Sequence, residues 1–291
     1  MKAAWCVVLT STSYTKGIIT LKYSLHNVCN SQYPLLVLYT SAVTPDVIDV
    51  LRTMGCIMRK IDAIKPLVQV KYTAERFTET WTKLAVWKQQ GYDRLVMMDA
   101  DMLPLQNMDE LMDLELNDEN WVAAAHACVC NPQKIQHYPP TWTPTNCSYT
   151  NLDASACVDP KPAQDKTGYF NSGLVVLTPS IKRFNAMIEH LYRITDFSIY
   201  PFPDQDFLNE VFKNQWKSIP YTYNALKTLQ WAHAPMWDIK QVKNIHFILS
   251  KPWDIAIDHE LSDLENIYRP LYELWWRAYD ESIKSLDMHL F

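Results

Sequence analysis

Three short runs, Ala3–Thr10, Pro34–Tyr39 and Leu95–Met98, are apolar along their whole length, and they constrain the fold most. A strand with one wet face alternates polar and apolar residues, whereas a strand covered on both faces does not. The segments between them supply the cover. Gly17–Val28 carries helical spacing, Thr44-Pro45-Asp46 reads as a helix start, and Cys56–Ile61 reads as another strand. Thr78–Gln90 predicts a helix with Trp81, Leu84, Ala85 and Trp87 on one side, stopped at Gly91. Strand and helix in repetition predict an α/β architecture, a mostly parallel sheet flanked by helices. Further on, Asn120–Ala127 and Phe170–Thr178 read as strands, and Pro179–Tyr192 and Asp204–Phe212 as helices.

No repeat or linker divides the chain, so residues 1–291 are expected to form one domain. Its proline-rich segment 128–166 reads as a long insertion, and residues 260–291 as a helical tail broken at Pro270. In that tail Tyr268, Leu271, Tyr272, Trp275 and Tyr279 recur every three or four residues. Such a stripe packs into a core, or against a second subunit in a homodimer.

Composition excludes several functions. With 27 Lys and Arg against 32 Asp and Glu, and no basic cluster, the chain offers no surface for nucleic acid or an anionic membrane. Only five residues are glycine, and neither a dinucleotide fingerprint nor a P-loop occurs, so any phosphate must be held by side chains or a metal ion. No run of ~18 apolar residues predicts a transmembrane helix. Met1–Thr10 lacks the features of a signal peptide, and the chain is expected in the cytoplasm. Cys128, Cys130, Cys147 and Cys157 gather in the insertion. Their spacings of two and ten match the paired ligands of a zinc site poorly, and disulfides or free buried thiols stay open.

The chemistry concentrates where the Arg94–Met98 run turns acidic, at Asp99-Ala100-Asp101. Open α/β sheets bind ligands beyond the carboxyl ends of their strands. Two carboxylates at i and i+2 there can share one hard cation, Mn²⁺ or Mg²⁺, whose natural guest is a diphosphate. The same pair also serves to end a strand or cap a helix. As a strand-end carboxylate, Asp101 is expected to contribute little to folding, within ~0.5 kcal/mol.

This stretch is one of six that stand in a fixed order. They are Leu9-Thr10-Ser11 with Tyr14-Thr15-Lys16-Gly17, Trp81-Thr82-Lys83-Leu84, Met98-Asp99-Ala100-Asp101, Phe170-Asn171-Ser172-Gly173, Asp204-Gln205 with Leu208-Asn209, and His246-Phe247 with Lys251-Pro252-Trp253. In this series the chain resembles the glycogenin-like members of glycosyltransferase family 8. These are retaining enzymes of the GT-A fold, a Rossmann-like sheet, that use a nucleotide-sugar donor and Mn²⁺.

The resemblance implies a hexosyltransferase that takes a UDP-sugar and an acceptor hydroxyl on a polyol, a sugar or a protein. It gives His246 as third metal ligand beside Asp99 and Asp101, with Ala100 between them among the donor contacts. Lys251 is placed against the donor phosphates, Lys83 near sugar and phosphate, and Arg76 on the donor side. Leu9, Thr10 and Ser11 would meet the uracil edge and Tyr14 would stack on the base. Asn171 and Ser172 would read sugar hydroxyls, with Asp204 and Gln205 beside the anomeric carbon. The match has two departures. His246–Lys251 is one residue shorter than the corresponding glycogenin stretch and lacks its glycine, and the insertion is longer. No tyrosine is identifiable as a site of self-glycosylation. A galactinol-synthase-like transfer to a polyol is the second enzymatic reading, and nucleotide-sugar binding without turnover the third.

Overall fold

The computed structural model of the protein describes residues 1–70, 79–153, 155, 162–255 and 260–289. The apolar runs become the centre of a seven-stranded sheet. Strands β1 (Ala3–Leu9), β2 (Leu35–Tyr39), β3 (Ile57–Lys60) and β4 (Arg94–Met98) lie parallel in the order β3-β2-β1-β4. β7 (Phe170–Leu177) is antiparallel to β4 and to β6 (Val122–His126), and β8 (Trp216–Ser218) closes the far edge parallel to β6. A second sheet is small and was not foreseen. In it β10 (Asn244–His246) pairs antiparallel with β5 (Met102–Pro104) and parallel with β9 (Ala225–Leu226).

The lack of alternation is explained by burial on both faces. Trp5, Val7 and Leu9 of β1 enter a cluster with Ile18 and Leu21 of α1 (Thr15–Tyr23) and Leu51 of α2 (Pro45–Thr53). Ala4 and Cys6 point the other way, toward Trp81 and Leu84, with Met187 and Leu191 of α3 (Ile181–Arg193) and Phe207 of α4 (Pro203–Val211). Thr44 and Pro45 occupy the first positions of α2, as their types favour.

Two readings of the sequence are corrected. The Trp81 helix is a 3₁₀ helix over Thr80–Lys88, ended before Gly91 at φ +88°. Three residues per turn line up Trp81, Leu84 and Trp87 at spacings of three, so the pattern fits this helix better than an α-helix. The tail is not broken at Pro270 but runs as one helix, α6 (Asp263–His289), after the short α5 (Leu229–Ala232). A proline inside a helix costs about 3 kcal/mol, and burial of Tyr268, Leu271, Tyr272 and Trp275 within the chain offsets it. Within the insertion, Cys130, Cys147, Tyr149 and Ala163 are buried in the cluster that includes those tail residues. Among the described residues six cysteines are free thiols, while Cys157 lies outside them. Also among the described residues, no helix is long and apolar enough to cross a membrane.

Trp275 is fully buried, and its ring stacks on Tyr279 at 5.5 Å between centroids. Trp275→Ala is expected to cost about 3–5 kcal/mol and to lower the calorimetric melting midpoint by about 10 °C.

Candidate active site

The carboxyl ends of β1 and β4, the start of β7, the amino end of α4 and the end of β10 surround one cavity of about 250 Å³. Asp99 and Asp101 follow β4 directly. Met102, next in the chain, pairs with His246 across the small sheet, so strand register brings the imidazole to the carboxylates. His246 Nε2 lies 3.4 Å from Asp101 Oδ1 and 3.8 Å from Asp99 Oδ2. Two carboxylates and an imidazole within 4.8 Å of one another are a donor set suited to Mn²⁺ or Mg²⁺.

The charges are balanced by two lysines. Lys83 Nζ sits 2.7 Å from Asp99 and 2.8 Å from Asp204, joining the metal motif to the α4 carboxylate. Burial would lower the Lys83 pKa, but Asp204 and Asp99 raise it above its ordinary value. Lys251 pairs with Asp101. Burial pushes Asp101 up, yet Lys251 and His246 overcome this and hold it well below the usual carboxylate range. Asp99 is shifted the other way, by burial and then by the charge of Asp101 opposing Lys83. The expectation that Asp101 matters little to folding is therefore corrected: it is 5% exposed and paired with Lys251, so its charge is buried and compensated.

A directional chain of hydrogen bonds holds the imidazole. His246 Nδ1 donates to Asn224 Oδ1 at 2.9 Å, and Asn224 Nδ2 donates to Asn171 Oδ1 at 2.8 Å. Asn171 Nδ2 donates to Gln205 Oε1 at 2.8 Å, Gln205 Nε2 to Tyr169 Oη at 3.0 Å, and Tyr169 to Asp206. Burial pushes Asp206 up to about 6. At neutral pH it is still a carboxylate that only accepts, which sets the sense of the whole chain and leaves Nε2 of His246 turned toward Asp99 and Asp101.

The other residues singled out from sequence are placed as follows. Thr10, Tyr14, Ala100, Asn171, Ser172, Asp204, Gln205 and Lys251 line the cavity. Ser172 Oγ donates to Asp204 at 3.1 Å. Leu9 and Ser11 do not line it. In a strand Val8 and Thr10 share one face, Leu9 turns into the core, and Ser11 caps the turn Thr12–Tyr14 through Ser13 N. Arg76 lies outside the described residues. Sequence reasoning missed Asn224 and Lys227. Lys227, 1% exposed, donates to Ser250 O at 2.9 Å and to Tyr272, tying the Lys251 loop to the tail. The missing glycine of that loop leaves its mark at Leu249, which takes φ +66°, a conformation costly for a branched residue.

The comparisons with known proteins agree with this geometry. The model for glycosyl transferase family 8 matches residues 6–256. The chain belongs to that family. It is a hexosyltransferase of the GT-A fold, an enzyme that uses a nucleotide-sugar donor and a divalent metal. Galactinol synthase 7 of Arabidopsis thaliana is 29% identical over 277 residues, covering 94% of this chain and 80% of its own. Galactinol synthase 2 of Solanum lycopersicum is 30% identical over 283 residues, covering 94% and 78%. Among solved structures, the galactosyltransferase LgtC, in complex with donor and acceptor sugar analogs, matches with TM-score 0.63 and 17% identity over 95% of each chain. The glycosyltransferase GlyE of Streptococcus pneumoniae matches with TM-score 0.60 and 18% identity over 96% of this chain. This chain spans only 61% of the GlyE chain.

Gly173 allows the imidazole its place, since a Cβ there would stand 2.3 Å from His246 Cε1 and 2.8 Å from Nδ1. Gly173→Ala is expected to turn the ring away from the carboxylates and weaken Mn²⁺ binding at least tenfold by isothermal titration, about 1.4 kcal/mol.

Proposed function

We propose that this enzyme transfers a hexose from a UDP-sugar to a polyol hydroxyl with retention at the anomeric carbon. A divalent ion, Mn²⁺ by preference, would be held by Asp99, Asp101 and His246. The observation that carries the reading is the convergence of this triad with Lys83, Asp204 and Gln205 on one cavity. The galactinol synthase relatives support a polyol acceptor. Among the described residues six cysteines form no disulfide, which supports a cytoplasmic setting.

A bound divalent ion supplies positive charge for the diphosphate that must leave. Asp99, Asp101 and His246 would hold that ion, while Lys251 beside Asp101 and Lys83 beside Asp99 line the same cavity, where their ammonium groups can meet donor phosphates. Asp204, fixed by Ser172 and Lys83, faces the region where positive charge grows on the sugar, and Gln205 and Asn171 offer amides to its hydroxyls. Thr10 and Tyr14 stand at the base end of the cavity. The acceptor enters beside the insertion, where Tyr138, Trp142 and Phe202 form an aromatic wall, with Trp142 stacked on Phe202 at 4.8 Å. The departing phosphate oxygen takes the proton of the acceptor hydroxyl on the same face.

The test incubates the protein and Mn²⁺ with a panel of UDP-hexoses and scores UDP release with and without polyols. Release that rises only when a polyol is present supports the reading, and equal release without any acceptor refutes it. Asp101→Asn should reduce kcat about 100-fold or more, with Mn²⁺ affinity falling in parallel. It should also lose stability, because Lys251 is left without its partner. Trp142→Ala should raise the acceptor KM about tenfold while UDP affinity stays within about twofold, which separates acceptor wall from donor site.

A further inference from the structure

Beside the active site, whose cavity Cys128 also lines, three sulfurs and one imidazole nitrogen converge. Cys128 and Cys130 follow β6, Cys147 ends the turn Pro144–Asn146, and His233 ends α5. His233 Nε2 lies 3.4 Å from Cys128 Sγ, 3.2 Å from Cys130 Sγ and 3.6 Å from Cys147 Sγ. The Cys128 and Cys147 sulfurs are 4.0 Å apart. All four ligand atoms fall within 4.8 Å of one another, and three of the four residues are buried.

Two ordinary explanations fail on these distances. A disulfide needs sulfurs about 2.05 Å apart, and the three thiols are free. Hydrogen bonding fails on valence. An imidazole nitrogen has one lone pair or one N–H, so Nε2 serves only one of the three thiols around it, and the thiols' other side-chain contacts, Cys147 to Cys128 at 4.0 Å and Cys130 to Thr150 at 3.8 Å, are long. A tetrahedral ion satisfies all four. Bonds of about 2.3 Å to sulfur and about 2.05 Å to nitrogen set S···N edges of about 3.6 Å and S···S edges of about 3.8 Å. The observed spacings lie close to these edges.

We propose that Cys128, Cys130, Cys147 and His233 form a structural zinc site, separate from the catalytic cation site. Three thiolates and an imidazole suit a borderline-soft ion, whereas the carboxylates of the active site suit a hard one. On binding, the three thiols lose their protons to solvent, the imidazole stays neutral, and the centre carries a net charge of −1. With four protein ligands no position is left for water or substrate, so the site does no chemistry. Its work is closure. Cys130 and Cys147 bracket residues 131–146, the stretch that carries Tyr138 and Trp142 to the cavity, and the ion fixes both ends of that stretch to β6 and α5. The linear spacing of the cysteines hides the site, because the fourth ligand is His233 and not the neighbouring Cys157.

The test measures metal content in protein made with zinc in the medium and dialysed exhaustively against Mg²⁺, which displaces zinc from carboxylates but not from thiolates. One equivalent of zinc per chain is expected in the wild type and in Asp101→Asn, and none in Cys130→Ser or His233→Ala. To guard against variants that do not fold, the wild type is also titrated with an organomercurial thiol reagent beside a chromophoric chelator. Release of one zinc, with a fall of the melting midpoint by about 5 °C or more that is reversed when excess dithiothreitol removes the mercurial and zinc is added back, supports the site. A wild type that retains no zinc, retention in both ligand variants, or loss in Asp101→Asn would each overturn it. None of these readouts depends on which sugar or acceptor the enzyme uses.

Discussion

Three carboxylates, Asp99, Asp101 and Asp204, are enclosed in one cleft, and the cost of holding like charges together out of water governs what surrounds them. Lys83 and Lys251 answer that cost from opposite sides, one from the 3₁₀ helix and one from the loop after β10. The lysines do more than neutralise. Because Lys83 touches both Asp99 and Asp204, it fixes the distance between the metal motif and the amino end of α4. A site built this way is poised for a cationic visitor, which replaces compensation that the protein already supplies.

Much of this was legible in the sequence, for reasons that differ from part to part. The strands of the main sheet could be read because burial on both faces leaves an unbroken apolar run, as at Pro34–Tyr39. Asp99, Asp101, Lys83, Asp204 and His246 could be read because they stand in family order, and the structure brings them into one cavity. What stayed hidden depends on contacts between distant segments. The strands β5, β9 and β10 are two or three residues long and carry no period of their own. Asn224 looks like any loop amide until His246 is seen to donate to it. Thr10 and Leu9 differ only by strand parity, which a motif does not record.

The tail shows the same limit from the other side. Its aromatic stripe announced burial, while Pro270 pointed to a break that the structure does not make. Local chain preference lost to packing, because Tyr272 and Trp275 are both fully buried and Tyr272 also pairs with Glu265 and Lys227. Through Lys227 and Ser250 the helix reaches the loop that carries Lys251. A segment that reads as scaffold is thus coupled to the charge it presents to the cleft.

The pairing of His246 with Met102 has one more implication. Strands of two or three residues have little hold of their own, yet Asp101 and His246, two of the three residues we propose as metal ligands, ride on or beside this ribbon. Any ion bridging Asp101 and His246 is a cross-link between its strands, and whatever binds only the closed ribbon shifts its opening equilibrium by mass action. With the proposed ion bound, the local stability of this corner would become a function of ion concentration rather than a fixed property of the fold.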